Sequence, residues 1–318
     1  MCPPRPDPAA ARRARPQIAV GPRPGGWAAN AVRRGGGEVV ALDRNPIGLV
    51  WTDSATPESL RGVLATHPEI SWVQLPLAGV ERMAEAGVID RQRRWTSAKG
   101  AFAEPVAEHA LALLLAGLRQ LPMRARARSW GEPAGATLFD QRLTVVGAGG
   151  IAVELLRLLE PFRVETTIVR QRPEPLAGAS RTVGTDRLPE ALAGARAVVL
   201  ALALTPATRK LIGAAELAAM ERDAWLVNVA RGALVDTGAL LHALRSGQIG
   251  GAALDVTEPE PLPAGHPLWD LPNCLITPHT ADTEEMTQPL LAHRIAENIR
   301  RLIAGQPLVG QVDPDLGY

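Results

Sequence analysis

At 318 residues, with 46% apolar and 21% charged side chains, the chain is long enough for two domains and has the composition of a globular protein. A formal net charge of +1 leaves no bulk attraction for nucleic acid or an anionic membrane, so neither is expected as a partner. The two cysteines, Cys2 and Cys274, are too few and too distant to read as a disulfide framework or a metal-ligand set; no metal is expected, and a reducing cytoplasm fits.

The first sixteen residues, MCPPRPDPAAARRARP, hold arginines but no apolar core, and their prolines oppose an amphipathic helix, so a disordered leader is expected over 1–16. From Gln17 short β-rich runs alternate with helical ones: QIAV, a helix over Trp27 to Arg34, EVVAL, GLVWT, a helix over Pro57 to Thr66, then SWVQL. That alternation is the pattern of a parallel sheet covered on both faces, and this first lobe ends near Lys99-Gly100. AEPVAEHALALLLAGLRQL (103–121) has apolar residues on more than one face and reads as one long helix buried between lobes. Its apolar run, ALALLLAGL, falls short of the roughly 18 residues of a membrane span. SWGEPAGATLFDQ reads as loop. A second series follows, RLTVVGAGG, TTIV, AVVLALAL, AWLVNVA, GAALDV and CLIT, whose six strand-like runs match a complete doubly wound domain. The tail from Gln288 to Gly305 is helical and is expected to cross back to the first lobe.

In RLTVVGAGGIAVELLRLLEPF the string Gly147-Ala148-Gly149-Gly150-Ile151-Ala152 follows a strand and opens a helix. Gly147 permits the tight turn, Gly149 lets a pyrophosphate approach the backbone, and Ala152 allows helix and strand to pack closely. The helix N-terminus then presents unpaired N–H groups and partial positive charge to the phosphates, around Gly150 and Ile151. A glycine-rich turn without a ligand is the plainer alternative, and the strand before and helix after it argue for dinucleotide binding.

In such folds an acidic residue about 20 positions beyond the turn holds the adenosine ribose hydroxyls and repels a 2′-phosphate. Here the strand TTIV ends in Arg170, Gln171 and Arg172, with no acid until Glu174. Two guanidinium groups can pair with a phosphate dianion, so NADP(H) is expected in preference to NAD(H). If both arginines are merely solvated, either coenzyme is used.

Downstream, TPATRKLIGAAELAAM and AWLVNVARGALVDTGALLHALRSGQIGGAALDVTEPEPLPAGHPLWDLPNCLITPH resemble, almost run for run, the D-isomer-specific 2-hydroxyacid dehydrogenase family. The resemblance covers about residues 70 to 305 and is dense from 143 to 279, and it fits the glyoxylate and hydroxypyruvate reductase branches. It implies two Rossmann-like doubly wound α/β domains with the active site in the cleft between them. Residues 17–100 with 284–318 would form the substrate-binding domain, and 101–283 the NAD(P)-binding domain. It also implies that Arg231 in NVARGALVD binds substrate, that His279 in TPHT is the catalytic histidine, and that Glu260 in DVTEPEP is its acidic partner. PLAGVER resembles the substrate loop, so backbone groups of Ala78, Gly79 and Val80 would hold the substrate carboxylate. Val229, Ala230, Asp255 and His279 would border the coenzyme, Asp255 near the nicotinamide amide.

The residue types suit the reaction. As hydride reaches the carbonyl carbon of a 2-oxo acid, negative charge gathers on oxygen, and a group titrating near neutrality must deliver a proton there. A carboxylate beside the imidazole stabilises its cation and fixes its orientation. An arginine fork grips carboxylate and carbonyl oxygens together. Taken singly each residue has a plainer reading, Arg231 as surface charge, Glu260 as a loop carboxylate and His279 as a turn residue. His109 in VAEHALAL reads as a helix-interface residue.

The sequence departs from the family pattern at Asp282, an acid where a small residue or glycine is common, read either as a cap for the following helix, the favoured reading, or as a charge in the site. The expected function is reduction of a small 2-oxo acid of the glyoxylate or hydroxypyruvate type to the D-2-hydroxy acid. The alternatives are a phosphoglycerate dehydrogenase-like NAD enzyme and a non-catalytic dinucleotide-sensing protein. The resemblance further implies a homodimer through the nucleotide domain, with the run Ser129 to Gln141 crossing to the partner.

Overall fold

A computed structural model describes residues 15–24 and 26–315. The leader expected over 1–16 thus lies outside the described residues up to position 14, while the Pro16 carbonyl already accepts the Glu38 N–H at 2.9 Å. The chain divides into two units: residues through Ala101 together with those from Glu284 onward, and Phe102–Thr283.

In the first unit, β1 (Gln17–Gly21), β2 (Glu38–Val39), β3 (Gly48–Trp51), β4 (Trp72–Gln74) and β5 (Arg94–Thr96) form one parallel sheet in the order β2-β1-β3-β4-β5. Helices α1 (Gly26–Arg34), α2 (Pro57–Thr66) and the short α3 (Glu81–Glu85) connect the strands. Burial on both faces explains why β3 reads as an unbroken apolar run rather than an alternating one. Leu49, Trp51, Leu60, Ile70, Val73 and Leu75 fill one core. A buried polar knot ties the C-terminal segment to this sheet. Asn298 Nδ2 donates to Gln74 Oε1 at 3.0 Å, and Thr96 Oγ1 donates to the same oxygen at 2.9 Å.

The second unit opens with α4 (Ala103–Leu118) and α5 (Leu121–Arg126). The sequence pattern suggests one helix over 103–121; instead Gln120 takes a left-handed φ of 54° and Pro122 starts a new turn. Residues 127–141 form neither helix nor strand. The sheet comprises β6 (Arg142–Val146), β7 (Glu165–Val169), β8 (Arg181–Val183), β9 (Ala197–Leu200), β10 (Trp225–Asn228), β11 (Gly251–Leu254) and β12 (Cys274–Ile276). It holds seven strands where six runs are legible in the sequence, and all are parallel in the order β12-β11-β10-β9-β6-β7-β8. Helices α6 (Gly150–Leu159), α7 (Leu188–Leu192), α8 (Ala214–Ala219) and α9 (Thr237–Ser246) join them, and α10 (Glu284–Ala304) returns the chain to the first unit. After β8 the chain comes back to the other side of β6, so the strand order reverses between β6 and β9, where doubly wound folds bind their ligands. Among the described residues no helix is long and apolar enough to cross a membrane.

Candidate active site

Because the seven strands are parallel, their C-terminal ends share one edge of the second unit, and nearly every residue singled out there by sequence lies on it. Gly147 follows β6 with φ +117°, and a Cβ there would stand 2.2 Å from the Ala201 carbonyl oxygen, so only glycine makes this turn. Two residues on, a Cβ at Gly149 would meet nothing within 4 Å. The turn is therefore tight against the protein on one side and open on the other. Gly149 caps the N-terminus of α6 from outside, with Gly150 and Ile151 in its first turn. These features fit a dinucleotide pyrophosphate.

Arg170 directly follows β7, its N–H held by the Val183 carbonyl at 3.1 Å. Its guanidinium leans toward Glu174, with Nη1 3.4 Å from the backbone carbonyl and Nη2 3.7 Å from the carboxylate. Arg172 is exposed. Glu174, the first acid after the strand in sequence, thus shares the neighbourhood of Arg170.

At the end of β10, buried Asn228 shapes the turn that carries Arg231. Its Nδ2 donates to the Arg231 carbonyl at 2.9 Å, and its Oδ1 accepts the Ala230 N–H at 3.1 Å. Val229 and Ala230 are buried within that turn. A Cβ at Gly232 would stand 1.9 Å from the Thr257 carbonyl oxygen, so glycine lets the Arg231 turn press against the loop that leads to Glu260. Neither Asn228 nor Gly232 stood out in the sequence, although both lie inside NVARG.

His279 Nδ1 stands 2.6 Å from Glu260 Oε1, with both side chains about 40% exposed. An ionised carboxylate only accepts, so Nδ1 carries the proton of this bond and Nε2 is the nitrogen left to face a ligand. His279 has a left-handed φ of 52°, rare for a side-chain-bearing residue. Asp255, just after β11, holds that conformation in place. Its carbonyl accepts the His279 N–H at 2.8 Å, its Oδ1 accepts the Thr280 N–H at 2.9 Å, and its Oδ2 accepts the Ala281 N–H at 3.1 Å. Three successive amides therefore wrap one residue.

The Asp255 side chain is 1% exposed. Burial pushes its carboxyl up, but hydrogen bonds from His109, Thr277, Thr280 and Ala281 outweigh that and hold it down at about 2. A carboxyl depressed below its ordinary 3.8 adds stability that is present above that value and lost as pH falls toward about 2. In Asp255→Asn an amide N–H would confront backbone donors. Calorimetry at pH 7 is expected to show a loss of about 2 kcal/mol, narrowing below about pH 4, where the unfolded carboxyl protonates, until the native one does so at about 2. A native-like Tm at pH 7 would remove this account of the turn.

Asp282 is half-buried, and burial pushes its carboxyl up while His279, Asp255 and Arg231 all act on it electrostatically. Of its two sequence readings, helix cap or charge in the site, these neighbours support the second. In the first unit, Ala78, Gly79 and Val80 follow β4, and the Ala78 carbonyl accepts the Ser97 hydroxyl at 3.3 Å. Among the described residues no acceptor meets the N–H groups of these three. Trp51, at the end of β3, keeps a buried indole N–H that likewise lacks a partner among the described residues.

A glycine turn at a helix N-terminus and a histidine–carboxylate pair on one sheet edge fit a nicotinamide-dependent oxidoreductase. The family described as D-isomer specific 2-hydroxyacid dehydrogenase, NAD binding domain, matches residues 109–281. The chain is 38% identical over 295 residues to the "Uncharacterized protein in proB 3'region" of Corynebacterium melassecola, which covers 91% of this chain and 95% of that one. It is 32% identical over 244 residues to the glyoxylate reductase/hydroxypyruvate reductase of Homo sapiens, 74% of each chain. The crystal structure of a D-isomer specific 2-hydroxyacid dehydrogenase from Xanthobacter autotrophicus Py2, in complex with NADPH and MES, has a TM-score of 0.83 at 31% identity, covering 96% of this chain and 100% of that one. The chain belongs to the D-isomer-specific 2-hydroxyacid dehydrogenase family, and its enzymatic class is that of the NAD(P)-dependent 2-hydroxyacid dehydrogenases.

Proposed function

We propose that this enzyme reduces a small 2-oxo acid of the glyoxylate or hydroxypyruvate type to the D-2-hydroxy acid and prefers NADPH. The observation that carries the reading is the 2.6 Å His279–Glu260 pair, on the same sheet edge as the Arg231 turn and the glycine turn. In this reading Nε2 of His279 delivers the proton to the carbonyl oxygen, and Glu260 holds the ring and stabilises its cation. Arg231 grips the substrate's carboxylate and carbonyl oxygens, and backbone N–H groups of Ala78, Gly79 and Val80 receive the carboxylate. The bound nicotinamide supplies the hydride. The coenzyme is held at Gly147, Gly149, Gly150 and Ile151, bordered by Val229, Ala230, Asp255 and His279, with Arg170 and Arg172 meeting a 2′-phosphate. The human relative's name and the NADPH in the Xanthobacter structure support the substrate class and the coenzyme. A homodimer through the second unit, with 129–141 reaching a second copy, is part of the same reading; Trp130 in that segment is 96% exposed.

The test is oxidation of NADPH and of NADH, followed by absorbance, with glyoxylate, hydroxypyruvate, pyruvate and 3-phosphohydroxypyruvate. Glyoxylate and hydroxypyruvate with NADPH should give the highest kcat/KM. A maximum with the phosphorylated acid and NADH would replace this reading with the phosphoglycerate one. Tight NADPH binding without turnover of any acid would replace it with a sensor.

A further inference from the structure

His109 is read from sequence as a helix-interface residue, yet α4 carries it to the ends of two strands. Its Nε2 lies 3.1 Å from Thr277 Oγ1, just beyond β12, and 3.3 Å from Asp255 Oδ1, just beyond β11. The proton positions follow from the donor inventory. The Asp255 carboxylate only accepts, so the one hydroxyl proton of Thr277 goes to Oδ1, across 2.6 Å. Thr277 Oγ1 must then receive from His109, whose Nε2 therefore carries a proton. The same Oδ1 accepts the Thr280 N–H, and Oδ2 accepts that of Ala281. His109 thus completes a chain, imidazole to hydroxyl to carboxylate to backbone, that ends on the turn in which His279 is held with positive φ.

We propose that His109 is a positioning residue for His279, acting through Thr277 and Asp255 to hold the 277–281 turn in its left-handed conformation. The inference rests on the reading of His279 as the proton donor; its structural half, the holding of the turn, does not. Without His109 the Thr277 hydroxyl can rotate away from Asp255, and a carboxylate with 1% of its side chain exposed loses two donors at once. The turn then samples conformations in which the ring no longer meets Glu260. Glutamine at 109 places an N–H near the position of Nε2, so it should restore the chain, whereas leucine fills the space without donating.

The experiment uses the full chain with His109→Leu, His109→Gln and Thr277→Val. Amide hydrogen exchange at Thr280 and Ala281 is expected to quicken by roughly tenfold or more in His109→Leu and Thr277→Val, and to stay near native in His109→Gln. With substrate, kcat in the first two should fall by roughly ten- to a hundredfold while the KM for the reduced coenzyme stays within about twofold. Thr277→Val keeps the ring and the side-chain volume, so it gives the reading if His109→Leu does not fold. Native exchange in folded His109→Leu or Thr277→Val overturns the inference whatever the enzyme's substrate. Quickened exchange with unchanged kcat leaves a purely structural role and also overturns it. If exchange quickens but the native protein turns over none of the 2-oxo acids, it is the function proposed above that fails, and the hold on the turn stands.

Discussion

His279→Ala is expected to lower kcat for 2-oxo acid reduction by about a hundred- to ten-thousandfold, the usual contribution of a positioned proton donor, and to leave the Kd of the reduced coenzyme within about twofold. The two readouts separate because the groups sit on different strands of one sheet. The glycine turn follows β6 and Arg170 follows β7, whereas His279 follows β12 at the far edge, so the alanine variant removes no group from the glycine turn or the end of β7. Glu260→Gln is the informative companion. Glutamine can still accept the Nδ1 proton at the 2.6 Å contact, so ring orientation survives while the charge that stabilises the imidazolium is lost. A hydrogen bond to a charged group exceeds a neutral one by about 1 kcal/mol, which is roughly a five- to tenfold loss in kcat. Glu260→Ala should lose more, since orientation goes as well. Full activity in His279→Ala would remove the mechanism, and equal activities in the Gln and Ala variants at 260 would show that charge, rather than orientation, is what Glu260 contributes.

The central strands and the site loops were legible for different reasons. Strands buried on both faces, such as β9, announce themselves as continuous apolar runs. By contrast β5 and β8, Arg94–Thr96 and Arg181–Val183, are three-residue edge strands whose short RWT and RTV segments carry no period. Their strand character comes from pairing with β4 and β7, which sequence does not display. The break between α4 and α5 rests on a left-handed Gln120, a residue with no special licence for that conformation. In the site, Arg231, Glu260 and His279 stood out because the runs that carry them, NVARGALVD, DVTEPEP and TPHT, resemble the motifs of the family, whereas taken singly each has a plainer reading. His109 did not, because its partner Thr277 is 168 positions away, and a histidine on a largely apolar helix looks the same whether or not a carboxylate waits across the fold. Asp282 is the intermediate case, visible as an oddity but assigned its surroundings only by folding.

Coenzyme choice should respond to the end of β7. Arg170→Ala is expected to lower kcat/KM for NADPH by roughly tenfold while changing that for NADH less than about threefold, and the double variant with Arg172→Ala should approach a hundredfold. These sizes are smaller than a buried phosphate clamp would give, because Arg172 is exposed and the Arg170 side chain is 28% exposed, so water screens both. The structure adds a competitor absent from the sequence argument. Glu174 holds Arg170 only loosely, at 3.7 Å between charged atoms, and an exposed pair of this kind is worth about 0–1 kcal/mol. A phosphate dianion, with more charge and three acceptor oxygens, should displace it. Glu174→Gln is therefore expected to raise kcat/KM for NADPH by about two- to fivefold and to leave NADH nearly unchanged, since only the phosphate gains from the freed guanidinium. Arg170→Asp goes further, placing at the strand end the acid that accepts ribose hydroxyls and repels a 2′-phosphate, and should reverse the preference. An NADPH to NADH ratio that stays constant across all four variants would show that the two arginines are solvated bystanders and that the phosphate is met elsewhere or not at all.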